Sequence, residues 1–231
     1  MMLLPTTVFL AFQRELIIKE SLRLRRLFWV NLKDWSVNNP GERNAVLKNS
    51  VLISQTKKEF TTRLNSKLSI SQQAFYNDEA FGNTGPIPPK AGETTSYTIT
   101  WQVKNYYNDV KNATVRAVLP YNVKLTGKIF PESESSKFTF DSLSREIVWR
   151  LSDGQAIEPG TGVINTAPSI SFQVVLTPDL TQKGKVAQII GEAKVKGEDQ
   201  WTDTNLESVV DAIDTTLPDD KNILDHSGII Q

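Results

Sequence analysis

The sequence predicts an all-β, antiparallel sandwich, and three observations lead to that prediction. From residue 64 onward, apolar and polar residues alternate in short runs, which is the pattern of half-buried strands. Clusters of Asn, Asp, Gly and Pro, the residue types that reverse a chain, separate these runs. No helical period lies between them, so successive strands are expected to pair antiparallel in two packed layers.

The strand pattern begins at Leu68 and Ile70, which alternate with polar residues. The segment GPIPP at residues 85–89 cannot continue a ladder, because proline supplies no backbone N–H and fixes φ. We expect this segment to run extended along a sheet edge until the turn KAGETT. An alternating run then extends from Tyr97 to Val103 and predicts a core strand with one solvated face.

Six further runs continue the pattern and bring the predicted total to at least eight strands. Their apolar positions are Val115, Ala117 and Leu119; Val123 and Leu125; Phe138 and Phe140; Ile147, Trp149 and Leu151; Ile170, Phe172, Val174 and Leu176; and Ala187, Ile189, Ala193 and Val195. Trp101 and Trp149 lie on apolar faces of two strands. We expect these rings to fill the space between the sheets and not to bind a ligand.

Composition excludes several classes of function. The chain has 231 residues with 26 basic and 26 acidic side chains, so no overall field favours nucleic acid. Cysteine is absent, which rules out disulfides, thiolate catalysis and cysteine-based zinc sites. No stretch reaches the ~20 apolar residues of a membrane-spanning helix. The apolar run at residues 8–12 follows no basic residue, so we do not interpret it as a signal peptide.

The chain divides into three predicted parts: an N-terminal segment over residues 1–62, the sandwich over residues 63–218, and a polar tail over residues 219–231. Within residues 7–34, Leu, Arg, Lys and Glu are frequent, and an imperfect apolar stripe predicts a partly helical structure. A basic cluster there could mark a membrane-surface helix or a nucleic-acid patch. We favour a solvated face, because Glu15 and Glu20 dilute the charge.

The sequence offers little for catalysis. The single histidine, His226, lies in the polar tail, and no G-x-S-x-G motif is present. The candidate carboxylates lie in predicted turns, where solvated charges are the favoured interpretation; they are Asp78, Glu79, Glu132, Glu134, Glu198, Asp199 and Asp203. The same loops could hold calcium, but they lack the D-x-D-x-D-G spacing. We therefore predict no catalytic, cofactor-binding or metal-binding residues.

Three aromatic residues outside the alternating strands are candidate ligand contacts. Tyr106 and Tyr107 follow the central strand, and Trp201 lies in the segment EDQWTDT. Loop aromatics can stack on sugar rings, although they also commonly cap the end of a sandwich. If exposed, these three would suit a carbohydrate-binding accessory module, which we keep as the alternative function.

Several of these segments, taken together and in order, resemble a known family. The segments are GPIPPKAGETTSYTITWQVKN, VKNATVRAVLPYNVKLTGKI, FTFDSLSREIVW, EPGTG, SISFQVVLTPDL and IIGEAKVKGEDQWTDTNLES. They resemble the immunoglobulin-like conserved-repeat domain of bacterial surface proteins, a domain of unknown function, over residues 64–218. Within that family, the chain is similar to the variant, opened by GPIPP, that large membrane-anchored exported proteins of small-genome bacteria carry.

The resemblance implies an immunoglobulin-like Greek-key sandwich of seven to nine strands, used outside the cell as a spacer, wall-associated or adhesive module. It implies no catalytic residues and no cofactor. The expected partners are cell-wall components, surface proteins or glycans, and the expected location is the cell surface of an exported, membrane-anchored parent. Residues 1–60 depart from the β-rich segment usual in that family, which is consistent with a fragment or an altered upstream sequence.

Overall fold

The structure is a computed structural model that forms two compact units, Met1–Pro40 and Gly41–Gln231. It describes residues 9–12, 16–17, 23–24, 28–31, 41, 43–53, 56–78, 80–151, 154–223 and 227–231. No helix in this described part of the chain is long and apolar enough to cross a bilayer. His226 and Glu79, both considered as candidate chemical groups, lie outside the described residues.

The described residues of the first unit are strands, so the predicted partly helical structure is wrong for them. The strands are β1 (Phe9–Phe12), β2 (Leu16–Ile17), β3 (Arg23–Leu24) and β4 (Phe28–Asn31). β1 pairs antiparallel with β4, and β2 with β3. Leu16 pairs directly with Leu24, so a spacing that suits one face of a helix here places two residues opposite each other across a ladder.

The second unit contains the sandwich. Its first sheet consists of β7 (Leu68–Phe75), β8 (Thr95–Asn105), β10 (Val123–Phe130) and β13 (Ser169–Leu176). Its second sheet consists of β9 (Val110–Val118), β11 (Phe138–Phe140), β12 (Glu146–Arg150), β15 (Ala193–Asp199) and β16 (Thr204–Val210). Further pairs are β5 (Val46–Ile53) with β6 (Thr56–Arg63), and β14 (Gln188–Ile190) with β17 (Ile213–Asp214). Two 3-10 helices span Glu132–Lys137 and Leu180–Gln182.

The strand order confirms an immunoglobulin-like antiparallel sandwich. The first sheet runs β7-β8-β13-β10 and the second runs β16-β15-β9-β12-β11. With the seven main strands lettered A to G along the chain, this is the order A-B-E-D facing G-F-C. The hairpin β11–β12 is inserted between the fourth and fifth strands and extends the second sheet beside β9.

The predicted alternation places the core where expected. Tyr97, Ile99, Trp101 and Val103 of β8 are all fully buried, and so is Trp149 of β12. Trp101 meets Phe172 edge to face, with ring centroids 4.9 Å apart. Each large side chain removed from water contributes about 1.5–3 kcal/mol to folding, so these two facing layers supply the main stabilisation.

The proline-rich segment at residues 85–89 joins β7 to β8 without forming a strand, as predicted. Gly85 has φ +108°, and a Cβ on it would lie 2.3 Å from the Thr94 carbonyl oxygen, so only glycine fits at this close approach. Beyond the turn at Ala91, β8 lies between β7 and β13 in the sheet, which confirms a central strand.

The packed unit extends further at both ends than the predicted limits of residues 63 and 218. Gly41 already donates its backbone N–H to the Tyr106 carbonyl oxygen at 2.8 Å. At the other end, Ile230 is only 1% exposed and exchanges backbone hydrogen bonds with Gly184 and Lys185. A polar composition conceals this packing, because backbone hydrogen bonds leave no mark in composition and, among the described residues of the tail, a single apolar residue, Ile230, enters the buried core.

Strand β16 carries no clear alternation of apolar residues, so the sequence pattern does not predict it. Its residues are alternately half-buried and exposed. Pairing with β15 along its whole length, from Thr204 opposite Asp199 to Val210 opposite Ala193, defines this strand. Tertiary pairing therefore overrides weak local preference here.

Tyr97 offers a stability test inside the core. Burial raises the pKa of Tyr97 well above its ordinary value. Its hydroxyl makes no hydrogen bond with the described residues, and the neighbouring Thr95 hydroxyl donates to the Pro86 carbonyl oxygen at 3.0 Å. We expect Tyr97→Phe to leave the free energy of unfolding unchanged or to raise it by about 1 kcal/mol, because no hydrogen bond is lost. The matched control, Tyr76→Phe, removes a 2.8 Å bond to Gly85 and should cost about 1 kcal/mol in urea unfolding. Equal losses at both positions would contradict this account.

Asp220 joins the C-terminal segment to the end of β7. It is 5% exposed, and its carboxylate accepts backbone N–H bonds from Tyr76 (2.9 Å), Asn77 (2.8 Å) and Asn222 (3.1 Å). Burial alone would raise the pKa of Asp220, but these donors outweigh it and hold the pKa below its ordinary value. The resulting stability is complete above the ordinary carboxyl pKa and is lost as the pH falls through the lower folded-state value.

We therefore expect Asp220→Asn to lower the free energy of unfolding at neutral pH by about 1–2 kcal/mol and to flatten its fall in acid. Denaturant unfolding between pH 7 and acid measures both effects. Asp219→Asn is the control, since that half-exposed neighbour receives only a 3.3 Å bond from the Gln73 side chain. The same acid dependence in wild type and Asp220→Asn would show that another group is responsible.

Candidate functional site

The sandwich has two ends: β7 begins and β8 finishes at the Asn105 end, and the opposite end is the Thr95 end. A buried polar cluster closes the Asn105 end. Asn105, Asn108 and Asp199 are fully buried there, and Ser66 is 7% exposed. Burying several polar groups this deeply is costly unless hydrogen bonds replace their water. The cluster is the largest concentration of buried polar side chains at this end, so its bonds decide whether it can act on a ligand.

The Asp199 carboxylate is saturated by donors from the protein. Its Oδ2 accepts the Ser66 backbone N–H at 2.6 Å and the Asn108 amide at 2.9 Å. Its Oδ1 accepts the backbone N–H groups of Trp201 at 2.8 Å and Thr202 at 3.2 Å. Four donors occupy the lone pairs, so this carboxylate fastens the start of β7 to the β15–β16 turn and has little capacity left for a ligand.

Asn105 makes a second set of cross-links. Its amide nitrogen donates to the carbonyl oxygens of Asn108 and Ile157, each at 2.9 Å. Its amide oxygen accepts the Ser66 hydroxyl at 2.6 Å, and that hydroxyl in turn accepts the Tyr107 backbone N–H at 3.0 Å. The last residue of β8 is thereby tied to the chain before β7 and to the loop around Ile157.

The three predicted ligand contacts all lie at the Asn105 end, but neighbouring side chains of the protein already contact their rings. Tyr106 is half-buried, and the Lys67 ammonium lies 4.9 Å from its ring centroid. Tyr107 is 9% exposed and packs against Tyr106, so the expectation that it is exposed is wrong.

Trp201, the third predicted contact, is half-buried, and the Arg63 guanidinium lies 4.4 Å from its ring centroid. Its indole N–H donates to the Ala45 carbonyl oxygen at 3.2 Å. A sugar ring stacked on Trp201 or Tyr106 would have to displace these cation–π partners. The geometry therefore gives no support to the carbohydrate-binding alternative.

The remaining candidate carboxylates that the structure describes do not converge on one site. Asp78 accepts the Thr98 hydroxyl at 2.9 Å, next to the start of β8. Glu134 accepts the Trp149 indole N–H at 2.8 Å and the Lys137 ammonium at 2.9 Å, so it holds a core tryptophan and is not simply solvated. Among the described side chains, no three His, Cys, Asp or Glu groups are placed to hold a metal ion.

Comparison with known proteins yields distant likenesses of fold. No protein-family model matches the chain, and no curated protein matches it. Among solved structures, it is similar to a variant of BcpA, the major pilin subunit of Bacillus cereus, with 11% identity, a TM-score of 0.40, and coverage of 83% of this chain and 49% of that one. It is also similar to the full-length major pilin SpaD from Corynebacterium diphtheriae, with 12% identity, a TM-score of 0.38, and coverage of 67% and 36%.

The chain thus spans about half the length of the first of these pilins and about a third of the second. At such identities and TM-scores the likenesses carry no argument about function. The geometry of the two ends of the sandwich is the better guide.

The role of Asp199 can be separated from that of its neighbour. We expect Asp199→Asn to lower the free energy of unfolding by about 2–4 kcal/mol, because an amide group cannot accept all four N–H donors and leaves some of them buried without a partner. Glu198→Gln is the matched control, since Glu198 is exposed and receives only a 3.5 Å bond from Asn112. Thermal or urea unfolding measures both, and equal effects would show that Asp199 is not a clamp.

Proposed function

We propose that this chain is a non-enzymatic structural or adhesive module of a bacterial cell-surface protein, with an exported and membrane-anchored parent. The observation that carries the proposal is that Gly41 and Gln231 are hydrogen-bonded at opposite ends of the central strand. A load applied at these two residues would run along the strands, which is the arrangement a spacer needs.

Backbone hydrogen bonds fix both ends. Gly41 donates to the Tyr106 carbonyl oxygen at 2.8 Å, immediately beyond the last residue of β8. Gln231 donates to the Pro89 carbonyl oxygen and accepts from the Ala91 N–H, each at 2.8 Å, shortly before β8 begins. The eleven residues of β8 separate these points by about 35 Å at ~3.3 Å per residue.

Tension applied between these ends would act along the strands. β7 pairs with β8 through eight consecutive positions, from Leu68 opposite Asn105 to Phe75 opposite Thr98. Interstrand hydrogen bonds in an antiparallel pair are perpendicular to the strands, so a force along the strands strains all of them at once. This geometry supports a role in transmitting force or holding a distance.

The Thr95 end presents the side chains that an adhesive module would use. Leu143 is 94% exposed, Leu180 81% and Tyr121 68%. Arg145 braces these loops by donating to the carbonyl oxygens of Leu119 at 3.0 Å and Pro120 at 2.7 Å, and Tyr121 donates to Asp179. Large apolar side chains held outward on braced loops suit contact with another protein surface.

Single-molecule pulling tests the spacer role. The chain has no native cysteine, so handles can be attached at chosen sites. The double variant Arg43→Cys/Gln231→Cys loads the strands lengthwise. The double variant Lys67→Cys/Asp109→Cys is pulled at two points of the Asn105 end, so its strand pairs open one by one. We expect the first variant to unfold at the higher force. Both variants lose the Arg43–Asp109 ion pair, so they are matched in that contact.

Equal forces in the two directions would remove the mechanical basis of the proposal. Its cellular part is checked separately by labelling the parent protein on intact cells with an impermeant reagent. Labelling that appears only after lysis would overturn the surface assignment while leaving the mechanical result intact.

A further inference from the structure

The hairpin β5–β6 forms a ribbon of its own beside the sandwich. Its eight pairs run without a bulge from Val46 opposite Arg63 to Ile53 opposite Thr56, and β5 and β6 make up a separate two-stranded sheet. At its base, the Leu64 N–H donates to the Ala45 carbonyl oxygen at 3.0 Å. A two-stranded ribbon is marginally stable in water, and a third or fourth strand would stabilise it.

The two edges of this ribbon differ in their protection. β6 carries four charged residues among eight, namely Lys57, Lys58, Glu59 and Arg63. β5 has the sequence VLKNSVLI, with a single charge at Lys48 and neither proline nor glycine. Charged side chains and prolines are the usual means of blocking an exposed edge. The β5 edge lacks that protection, and its Val, Leu and Ile content favours strand pairing.

The hydrogen bond at the base of the ribbon shows which backbone groups of β5 point outward. Ala45 and Leu64 form a hydrogen-bonded pair, and such pairs alternate with non-hydrogen-bonded pairs along an antiparallel ladder. Residues 47, 49, 51 and 53 therefore bond to β6. Residues 46, 48, 50 and 52 direct their N–H and C=O groups away from it, where no described strand pairs with them.

We infer that the outward edge of β5 pairs with β5 of a second copy of this chain, forming a continuous four-stranded antiparallel sheet. The outward backbone groups belong to residues with even numbers. They can bond to each other across two copies only if an even-numbered residue lies opposite an even-numbered residue. A two-fold axis at Asn49 places residue 46 opposite 52, 47 opposite 51, and 48 opposite 50. The bonds run between residues 46 and 52 and between 48 and 50, twice each by symmetry.

The sequence of β5 suits this symmetric pairing better than pairing with an arbitrary strand. In this register the residue types match along the backbone: position 46 (Val) pairs with position 52 (Leu), and position 47 (Leu) with position 51 (Val), so apolar types share paired positions at both ends. Lys48 comes opposite Ser50, and Asn49 opposite itself, so the centre is polar and no lysine faces a lysine directly. Matched cross-strand pairs are what stabilise a sheet. The outer edges of the combined sheet are then the two charged β6 strands, which stop further addition.

Blocking one edge at a time tests this assignment. Ser50→Pro removes an outward N–H of β5 and no bond to β6, whereas Thr61→Pro does the same on the outward edge of β6. Sedimentation equilibrium of the whole chain at up to about 1 mM should show a dimer in the wild type and in Thr61→Pro. Ser50→Pro should raise the dissociation constant at least about tenfold.

The inference would be overturned by a monomeric wild type, by a dimer unaffected by Ser50→Pro, or by equal weakening by both proline variants, which would indicate damage to the hairpin. Assembly beyond a dimer would also overturn it, since the charged β6 edges should stop growth. Unchanged circular dichroism of the sandwich confirms that each variant is folded.

A cysteine variant tests the register itself. Residues directly opposite in a non-hydrogen-bonded pair have Cα atoms about 4.5 Å apart, within the range of a disulfide. Asn49→Cys should therefore form an intermolecular disulfide under mild oxidation, because residue 49 faces itself across the axis. Ser50→Cys, displaced from its copy by two residues, should cross-link much more slowly. Equal rates would contradict the register. Self-pairing through β5 would hold whether or not the sandwich serves at a cell surface.

Discussion

The central strand β8 imposes the constraint on which the rest of the sandwich depends. Every second side chain from Tyr97 to Val103 is fully buried, so both neighbouring strands and the facing sheet must supply apolar partners at the same level. Trp101 shows how specific this demand is. Its ring packs on Phe172, and its indole N–H must still be satisfied, which Gln72 on the adjacent strand does at 2.7 Å. The same Gln72 amide donates to the Gly191 and Asp211 carbonyl oxygens, each at 3.0 Å, and so ties the β7 edge to the second sheet.

Once the core is apolar, the two ends must close with polar groups that lose their water. Asp199 at the Asn105 end and Asp220 near the Thr95 end solve this problem in the same way. Each carboxylate accepts backbone N–H groups from segments more than 130 residues apart in the chain. Bonds of this kind stabilise through the charge of the acceptor, and a missing partner would leave buried donors unpaired. The chain segments on either side of the core are thereby fixed to it.

The sequence predicts the fold well where a side chain's position in a strand decides its burial, as in Ile99, Phe172 and Val195. It predicts less where backbone bonding decides, because these bonds leave little trace in composition. Ile230 is buried within a polar tail, and Leu16 lies opposite Leu24 in a ladder instead of on a helix face. The site was predicted only in part. The three predicted aromatic residues, Tyr106, Tyr107 and Trp201, do lie together at one end of the sandwich. Two of their rings are covered by Arg63 and Lys67. These two residues precede β7, and no local sequence pattern shows that their segment lies at the same end.

The edges of the strands connect the spacer geometry with self-association. The β7 edge is bridged to the second sheet by Gln72, and the β10 edge is interrupted by a register shift between Leu125 and Ile129. β6 is covered by charge, whereas β5 has an open backbone edge of low charge. A second copy can therefore add a strand at β5 more readily than at these other edges. Association there would use the ribbon at the Asn105 end and leave the exposed loops at the Thr95 end free for a different partner.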